Sequence, residues 1–401
     1  MLSISPTLSV QVPDLTIFFG EWTPTPARRV SVVVPVRNEA EGIARTLDSL
    51  RHQVTANGQP LCPDSYDVLV LTNNCTDDSL AQVRTYQRNH PVLRLCVANI
   101  TLPPPQAHIG TVRRLLMDEA CRRLQLGGHP RPVIASTDGD TEVAPDWITQ
   151  ILHELDAGND AVGGRILTRP EAGPTRLPHL RDTLYRHLLA RAESVLDPTP
   201  NDPWPRHFQH FGASLALTCE AYLRAGRLPV VRFLEDDALV KALYRVDARV
   251  RRSKAVRVFT SARLQGRVEV GLSWQLQQWA NQQAAGCGQT VEEPARTLAR
   301  YQLRRALRLA WQHRHAPGNP ARLAPLAHEM GVSTEWLQEQ MAACCYFGQC
   351  WERTETEYLA FRQNALPPHM VPITEAIAWL RTWHDSAAQT DHQARVNTSS
   401  R

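Results

Sequence analysis

Lysine is nearly absent from this sequence, and its cysteines never have the C-x-x-C spacing. Only two of the 44 basic residues are lysine, Lys241 and Lys254. Such an excess of arginine across a whole chain is more typical of genomic base composition than of one binding site. The nine cysteines form no C-x-x-C pair, and the nearest group, Cys344, Cys345 and Cys350, lacks the spacing of a zinc site. These absences argue against a cysteine zinc site and favour a reducing compartment.

The sequence also lacks a strong net charge, a basic leader and a long apolar run. Its 44 basic and 40 acidic residues leave a net charge of +4, which argues against a dedicated nucleic-acid-binding protein. No basic stretch precedes the apolar residues near the N-terminus, and no window approaches the ~18 uninterrupted apolar residues of a membrane span. The sequence therefore predicts a cytoplasmic protein that is neither exported nor membrane-spanning.

The composition is that of a folded protein with more than one structural unit. A hydrophobic fraction of 43% and a charged fraction of 21% are near globular averages. A chain of 401 residues exceeds the ~250–300 residues at which single cores stop growing. We predict a leader (1–28), an α/β domain (29–271) with a nucleotide-binding half (29–142) and an acceptor half (143–271), a helical C-terminal region (272–385) and a flexible tail (386–401).

Short β-branched runs alternate with helical patterns in the first part of the α/β domain. The segment RRVSVVVPVRNEAEGIARTLDSL gives a strand, a polar loop and then Ile43, Leu47 and Leu50 at helical spacing. A second strand, YDVLVLTNN, and a later one, PVIAST, also end in polar loops. This alternation predicts a doubly wound, mostly parallel sheet, whose site lies at the carboxyl ends of its strands.

Asp138-Gly139-Asp140 follows the apolar run VIAST. The glycine lets the backbone bend closely, so that both carboxylates can face one site. Carboxylates combined with substrate phosphates are the usual ligands of Mg²⁺ or Mn²⁺, so Asp138 and Asp140 are candidate metal ligands that would clamp a nucleotide diphosphate. The alternative is a solvated turn, in which Asp and Gly are common.

Glu235-Asp236-Asp237 precedes the helical pattern ALVKAL. One of these carboxylates could act as a general base on an acceptor hydroxyl. If the segment is helical, neighbouring side chains point about 100° apart, so at most two acids can face one site. Leu239 and Leu243 continue a stripe that begins at Asp236, which favours Asp236 as the base. Simple helix capping is the alternative for all three acids.

Arginines in the loops after the strands are candidate partners of a pyrophosphate, because the guanidinium forms paired charge-assisted hydrogen bonds with it. In a chain this rich in arginine, each one alone is more often a solvated surface residue. The candidates are Arg37, Arg113, Arg114, Arg263 and Arg267.

The segments SVVVPVRNEAEGI, TNNCTDDS, TDGD and LEDDALVKAL, in this order, resemble family 2 glycosyltransferases of the GT-A fold. The resemblance covers about residues 29–271, and TSARLQGRVEVGL is similar to the end of this domain in a bacterial subgroup. The resemblance implies transfer of a hexose from a nucleotide-sugar donor to an acceptor hydroxyl, with the assistance of a metal ion. By analogy with the family, it also implies inversion of configuration at the sugar carbon that is transferred. The acceptor is unknown.

The resemblance also assigns roles to individual residues. The stretch from Pro35 through Arg37 and Asn38 to Glu39 matches the first nucleotide-contacting loop of the family. Asp138 and Asp140 match its D-x-D metal motif, with Asp138 also near the donor. The Glu235-Asp236 pair matches its catalytic acids, with Asp236 as the base.

One position departs from the family pattern. The family often has V-D-D-G-S-T-D at the end of the second strand, where this chain has Leu71, Thr72 and then Asn73-Asn74. An asparagine side chain offers both a donor and an acceptor to a nucleobase, whereas an ionised aspartate only accepts. This departure leaves the preference for the base near Asn73 open. UDP is the default expectation, and GDP is the alternative.

Other protein classes explain the sequence less well. No G-x-G-x-x-G follows the first strand, as a dinucleotide-binding oxidoreductase requires, and no Walker-type loop supports a phosphotransferase. The alternative that remains is a non-catalytic, glycosyltransferase-like binding module. We expect the C-terminal helices to cover the catalytic domain. The alternative to this packing is peripheral contact with a membrane surface, because basic residues lie between apolar ones in YQLRRALRLAWQHRH.

Overall fold

The computed structural model describes residues 19–399 apart from 21, 170–174, 262–269, 317–318 and 366–368. Arg263 and Arg267, both predicted as pyrophosphate partners, lie outside the described residues. So does most of the predicted leader, from residue 1 to residue 18.

Strands and helices alternate along residues 30–156. The order is β1 (Val30–Val36), α1 (Ile43–Arg51), β2 (Tyr66–Asn73), α2 (Ser79–Asn89), β3 (Leu95–Ile100), α3 (Ile109–Gly127), β4 (Val133–Ser136), β5 (Thr141–Val143) and α4 (Trp147–Asp156). β1 and β2 are buried along their whole length, which explains why both read as nearly continuous apolar runs.

The rest of the α/β domain adds further strands and helices to the same sheet. Its elements are β6 (Ala161–Thr168), α5 (Arg176–Leu196), a 3-10 turn (Gly212–Ser214), β7 (Leu215–Thr218), α6 (Cys219–Arg224), α7 (Glu235–Arg245) and β8 (Val250–Thr260). The C-terminal region contains α8 (Leu272–Ala284), β9 (Thr290–Glu292), α9 (Pro294–Gln312), α10 (Asn319–Met330), α11 (Thr334–Ala343), α12 (Phe347–Ala365), β10 (Met370–Pro372) and α13 (Ile373–Ser399).

Eight strands form one mixed sheet in the order β3-β2-β1-β4-β7-β6-β8-β5. The pairings β3/β2, β2/β1, β1/β4 and β6/β8 are parallel. The pairings β4/β7, β7/β6 and β8/β5 are antiparallel. β1, β2, β3 and β4 run parallel, so the carboxyl ends of β1, β2 and β4 meet at one edge.

Alternate residues of β1 face two different cores. Val33 packs with α3, α6 and α7 on one side of the sheet. Val32 and Val34 pack with α1, α2 and α4 on the other side. Helices cover both faces, which confirms the predicted doubly wound α/β fold with its C-terminal helical region.

The C-terminal region packs on α5 of the α/β domain. Leu298 of α9 and Leu380 of α13 are buried against Leu188 of α5. The side chain of Arg304 on α9 donates to the buried Asp197 at 2.5 Å. Apolar and charged contacts therefore both hold these helices against α5.

Two features of this region differ from the sequence prediction. β9 and β10 pair as a small antiparallel sheet, where we predicted no strands. Each is three residues long, too short to show an alternating pattern. α13 continues to Ser399 and so includes most of the segment predicted as a flexible tail. None of the helices among the described residues has the length and apolarity needed to cross a membrane.

Candidate active site

The loops after β1, β2 and β4 contact one another at the carboxyl edge of the sheet. The backbone of β1 is in register with β2 at Val36 and Thr72. The hydroxyl of Thr46 on α1 donates to the carbonyl of Gly139 at 3.0 Å, which holds the loop after β4 against the start of α1. The topology thus brings together residues that are far apart in the sequence.

The loop after β1 is tied to the loop after β2 by its own side chains and amides. The backbone N–H of Thr76 donates to the Oδ1 of Asn38 at 2.8 Å, and the N–H of Glu39 donates to the hydroxyl of Ser79 at 2.7 Å. Arg37 is exposed and donates to the carbonyl of Ala107 at 3.1 Å. These contacts shape the loop, and the predicted donor contacts of Pro35, Arg37, Asn38 and Glu39 stay predictions.

Two buried polar atoms at this edge have no hydrogen-bond partner among the described residues. They are the Oδ1 of Asn73, in a residue that is 2% exposed, and the hydroxyl of Thr137. An unpaired buried polar group costs about 1–3 kcal/mol. Such a cost is expected where a ligand completes the hydrogen bonds, and both atoms lie where the nucleotide site was predicted.

Arg113 joins the two acid motifs. Its guanidinium is only 4% exposed, and it donates to Asp138 at 2.8 Å and to Glu235 at 2.9 Å. It also donates to the hydroxyl of Ser136 and to the carbonyl of Gly212. Burial alone would lower the pKa of Arg113, but the two carboxylates outweigh it and raise that pKa above its ordinary value. Arg113 is therefore a bridge between carboxylates rather than an open phosphate ligand.

Gly212 leaves the space that this bridge needs. A Cβ at this position would lie 2.7 Å from the central carbon of the Arg113 guanidinium. The N–H of Gly212 donates to the Oδ2 of Asp236 at 2.7 Å, so the same residue contacts both the bridge and the candidate base. We did not predict a role for Gly212. Its only sequence signal is a small residue in FGAS before the strand LALT.

The three acids at the start of α7 have three different environments. Glu235 is buried, and burial raises its pKa, although Arg113 opposes the rise. Asp236 is half-buried, and its Oδ1 accepts from the N–H of Asp237 at 2.8 Å. The side chain of Asp237 lies 3.5 Å from His210 and 2.8 Å from Lys241. Leu234, just before them, has a left-handed φ of 55°, which is uncommon for a leucine.

Asp138 and Asp140 are both half-buried, and they flank a buried glycine. One oxygen of Asp138 accepts from Arg113, and its second oxygen has no hydrogen bond within the described part of the chain. In that same part, no three His, Cys, Asp or Glu side chains gather as a metal site. Two carboxylates fit a divalent ion that takes its other ligands from a bound diphosphate.

These features define an α/β protein in which Arg113 joins two acid motifs at the carboxyl ends of the strands. Residues 31–112 match the model of the family described as glycosyl transferase family 2. This match confirms the resemblance to that family across β1, β2, β3 and the start of α3. A search of curated proteins finds no match.

Several solved structures are similar to the chain. A mannosyltransferase from Pyrobaculum calidifontis, PcManGT, in complex with GDP-Man and Mn²⁺, is 20% identical, with 85% of this chain and 89% of that chain covered and a TM-score of 0.42. TarS 1-349 from S. aureus, in complex with UDP, is 14% identical, with 84% and 92% covered and a TM-score of 0.41. Glucosyl-3-phosphoglycerate synthase from Mycobacterium tuberculosis, in complex with Mn²⁺, UDP and phosphoglyceric acid, is 17% identical, with 69% and 90% covered and a TM-score of 0.36.

Arg113→Met tests the bridge. The substitution leaves the buried Glu235 without its partner, so we expect the free energy of unfolding to fall by about 3–5 kcal/mol in urea titrations. The control is Arg114→Met, which removes a more exposed pair with Asp118 and should cost no more than about 1 kcal/mol. If Arg113 were only a phosphate ligand, its variant would keep the wild-type unfolding curve.

The pH dependence of stability tests the surroundings of Asp237. The contact with His210, together with that of Lys241, overcomes burial and lowers the pKa of Asp237 to about 2. A carboxyl whose pKa is depressed in the folded state stabilises above its unfolded pKa of about 3.9 and loses this contribution as the pH falls toward the folded pKa. Asp237→Asn should therefore be less stable than wild type at pH 7, and the difference should shrink between about pH 4 and pH 2.

Thermal unfolding across that pH range measures the difference. Asp64→Asn, at the exposed pair with Arg94, is the matched control for loss of a surface carboxylate. A difference for Asp237→Asn that stays constant from pH 7 to pH 2.5 would contradict the assignment.

Proposed function

We propose that this protein is a metal-assisted glycosyltransferase that moves a sugar from a nucleotide-sugar donor to an acceptor hydroxyl in one inverting displacement. The observation that carries the proposal is the ion pair of Arg113 with Asp138 and Glu235. The candidate donor-binding acid and the candidate catalytic segment are almost 100 residues apart in the sequence, and both contact this one guanidinium. A domain that only bound a nucleotide would need the first motif but not the second.

The donor nucleotide would lie on the loops after β1, β2 and β4. The Oδ1 of Asn73 has no partner among the described residues and can accept a hydrogen bond from a nucleobase, while the NH₂ group of the same side chain can donate one. Uracil presents both a ring N–H and carbonyl oxygens on one edge, so it satisfies such an amide. Guanine also presents N–H groups beside a carbonyl, which makes GDP the alternative to UDP.

Asp138 and Asp140 would hold Mg²⁺ or Mn²⁺ together with the diphosphate of the donor. The ion would neutralise the charge that develops on the departing diphosphate. Arg113 contributes by fixing one oxygen of Asp138 while the second oxygen stays available for a ligand. The chain thus presents a carboxylate in one orientation before any ligand arrives.

Asp236 is the proposed general base. Its two oxygens accept from the N–H groups of Gly212 and Asp237, which fix the plane of the carboxylate. A carboxylate has about four lone-pair positions, so it can still accept the proton of an acceptor hydroxyl. Glu235 is less suited to this role, because it is buried and occupied by Arg113. Glu235 instead anchors the first turn of α7.

Binding of the donor nucleotide is tested with UDP, GDP and Mn²⁺ on the wild-type protein and on Asp140→Ala. For the wild type, we expect the unfolding temperature to rise with UDP and Mn²⁺ together, and little with either alone, because each completes the site of the other. Asp140→Ala should lose this joint effect.

Calorimetry with UDP decides whether the metal assignment holds. An affinity of Asp140→Ala for UDP that still increases with Mn²⁺, as in wild type, would refute it. A nucleotide that binds but is never turned over, across a panel of sugar nucleotides, would favour the non-catalytic binding module instead.

Asp236→Asn tests the general base. The substitution keeps the shape of the side chain and removes its basic oxygen, so transfer should fall by at least ~10² while donor affinity stays nearly unchanged. Single-turnover assays of sugar transfer, or of UDP release to water before an acceptor is known, measure the effect. Asp237→Asn is the matched control, and an inactive control beside a near-normal Asp236→Asn would move the role to Asp237.

A further inference from the structure

α7 connects the candidate base to the C-terminal region. Asp236 lies in the first turn of the helix, and Arg245 is its last residue. Arg245 comes nine positions after Asp236, which corresponds to about 14 Å along a helix. The first turn is held by Arg113 and Gly212 on the catalytic domain. The last turn is held by a different part of the chain, α12.

The start of α12 packs directly on the backbone of α7. A Cβ added to Gly348 would lie 1.8 Å from the carbonyl oxygen of Tyr244 and 2.9 Å from the Cα of Arg245. No side chain fits at such distances, and the backbone of α7 would have to move to admit one. Gly348 is therefore required for the present distance between the two helices.

Polar contacts fix the same junction. Asp247, just after α7, accepts from the N–H groups of Phe347 and Gly348 at 2.8 Å each, so one carboxylate caps the first turn of α12. Arg245 donates two hydrogen bonds to Glu352, each of 2.5 Å. Arg245 thereby lowers the pKa of the Glu352 carboxyl. The junction thus has both a steric and an electrostatic component.

We propose that α12 positions the candidate base, so that Gly348, Glu352 and Asp247 are positioning residues for Asp236. This inference rests on the proposed function of Asp236 as the base. A helix transmits a displacement of one end to the other, because its backbone hydrogen bonds make it stiff. A shift of α12 therefore moves the Asp236 carboxylate relative to the donor site, which is built on the other half of the sheet.

Gly348→Ala tests the steric contact. We expect kcat for UDP release from the donor to fall by about 10- to 100-fold, because misplacement of a reacting group by about 1 Å has an effect of this size. Donor affinity, measured by calorimetry with UDP and Mn²⁺, should stay within about twofold, because α12 packs on the last turn of α7 and the proposed donor site lies on the loops after β1, β2 and β4. Gly288→Ala is the matched control, since a Cβ there meets no atom within 4 Å.

A charge exchange tests the electrostatic contact of the same junction, the ion pair of Arg245 with Glu352. Arg245→Glu and Glu352→Arg should each lower kcat, because each places like charges side by side. The double variant restores opposite charges and should recover most of the loss, which would show that the loss comes from the broken ion pair and not from either side chain alone. Arg94→Glu, at the exposed pair with Asp64, is the control for a charge reversal elsewhere.

Hydrogen exchange of the backbone amides of residues 236–240 separates this inference from the proposed function. Faster exchange in Gly348→Ala and in the two single charge variants, reversed in the double variant, supports positioning even if the wild type turns over no donor. In that case only the proposed function fails. If Gly348→Ala had the amide exchange and the kcat of the wild type, the inference would be overturned. It would also be overturned if the double charge variant recovered neither wild-type amide exchange nor wild-type kcat.

Discussion

The buried guanidinium of Arg113 holds the candidate site together. It lies between Asp138, after β4, and Glu235, at the start of α7, and it donates to both. In a poorly hydrated interior, an unpaired charge is far more costly than a paired one, so these groups depend on one another. The distance between the donor-binding edge of the sheet and the start of α7 is set by this ion pair. Gly212 permits it, because no side chain would fit beside the guanidinium.

α7 is the element through which the rest of the chain reaches this site. Its buried residues Leu239 and Leu243 pack into the core that lies between the sheet and α3. Its last turn contacts α12. The C-terminal region also packs on α5 through apolar contacts and the ion pair of Arg304 with Asp197. The C-terminal helices therefore contact both α5 and the last turn of α7.

Local sequence patterns were sufficient for much of the fold. The apolar run of β1, with the spacing of Ile43, Leu47 and Leu50 in α1, predicted a strand and a helix that the structure confirms. β9 and β10 were missed, because two strands of three residues carry no periodic signal and form only when their partners meet. Gly212 was missed because a close approach between distant residues leaves no local pattern.

The sequence by itself determined the α/β alternation, the position of one acid motif after a predicted strand and of the other at the start of a predicted helix, and the resemblance to a glycosyltransferase family. These properties depend on residues that are near one another along the chain. Only the tertiary structure decided that Arg113 binds carboxylates instead of facing open solvent, that Glu235 and Asp236 have different partners, and that α12 contacts α7. Each of these depends on which charges become buried together, and burial is a property of the packed chain.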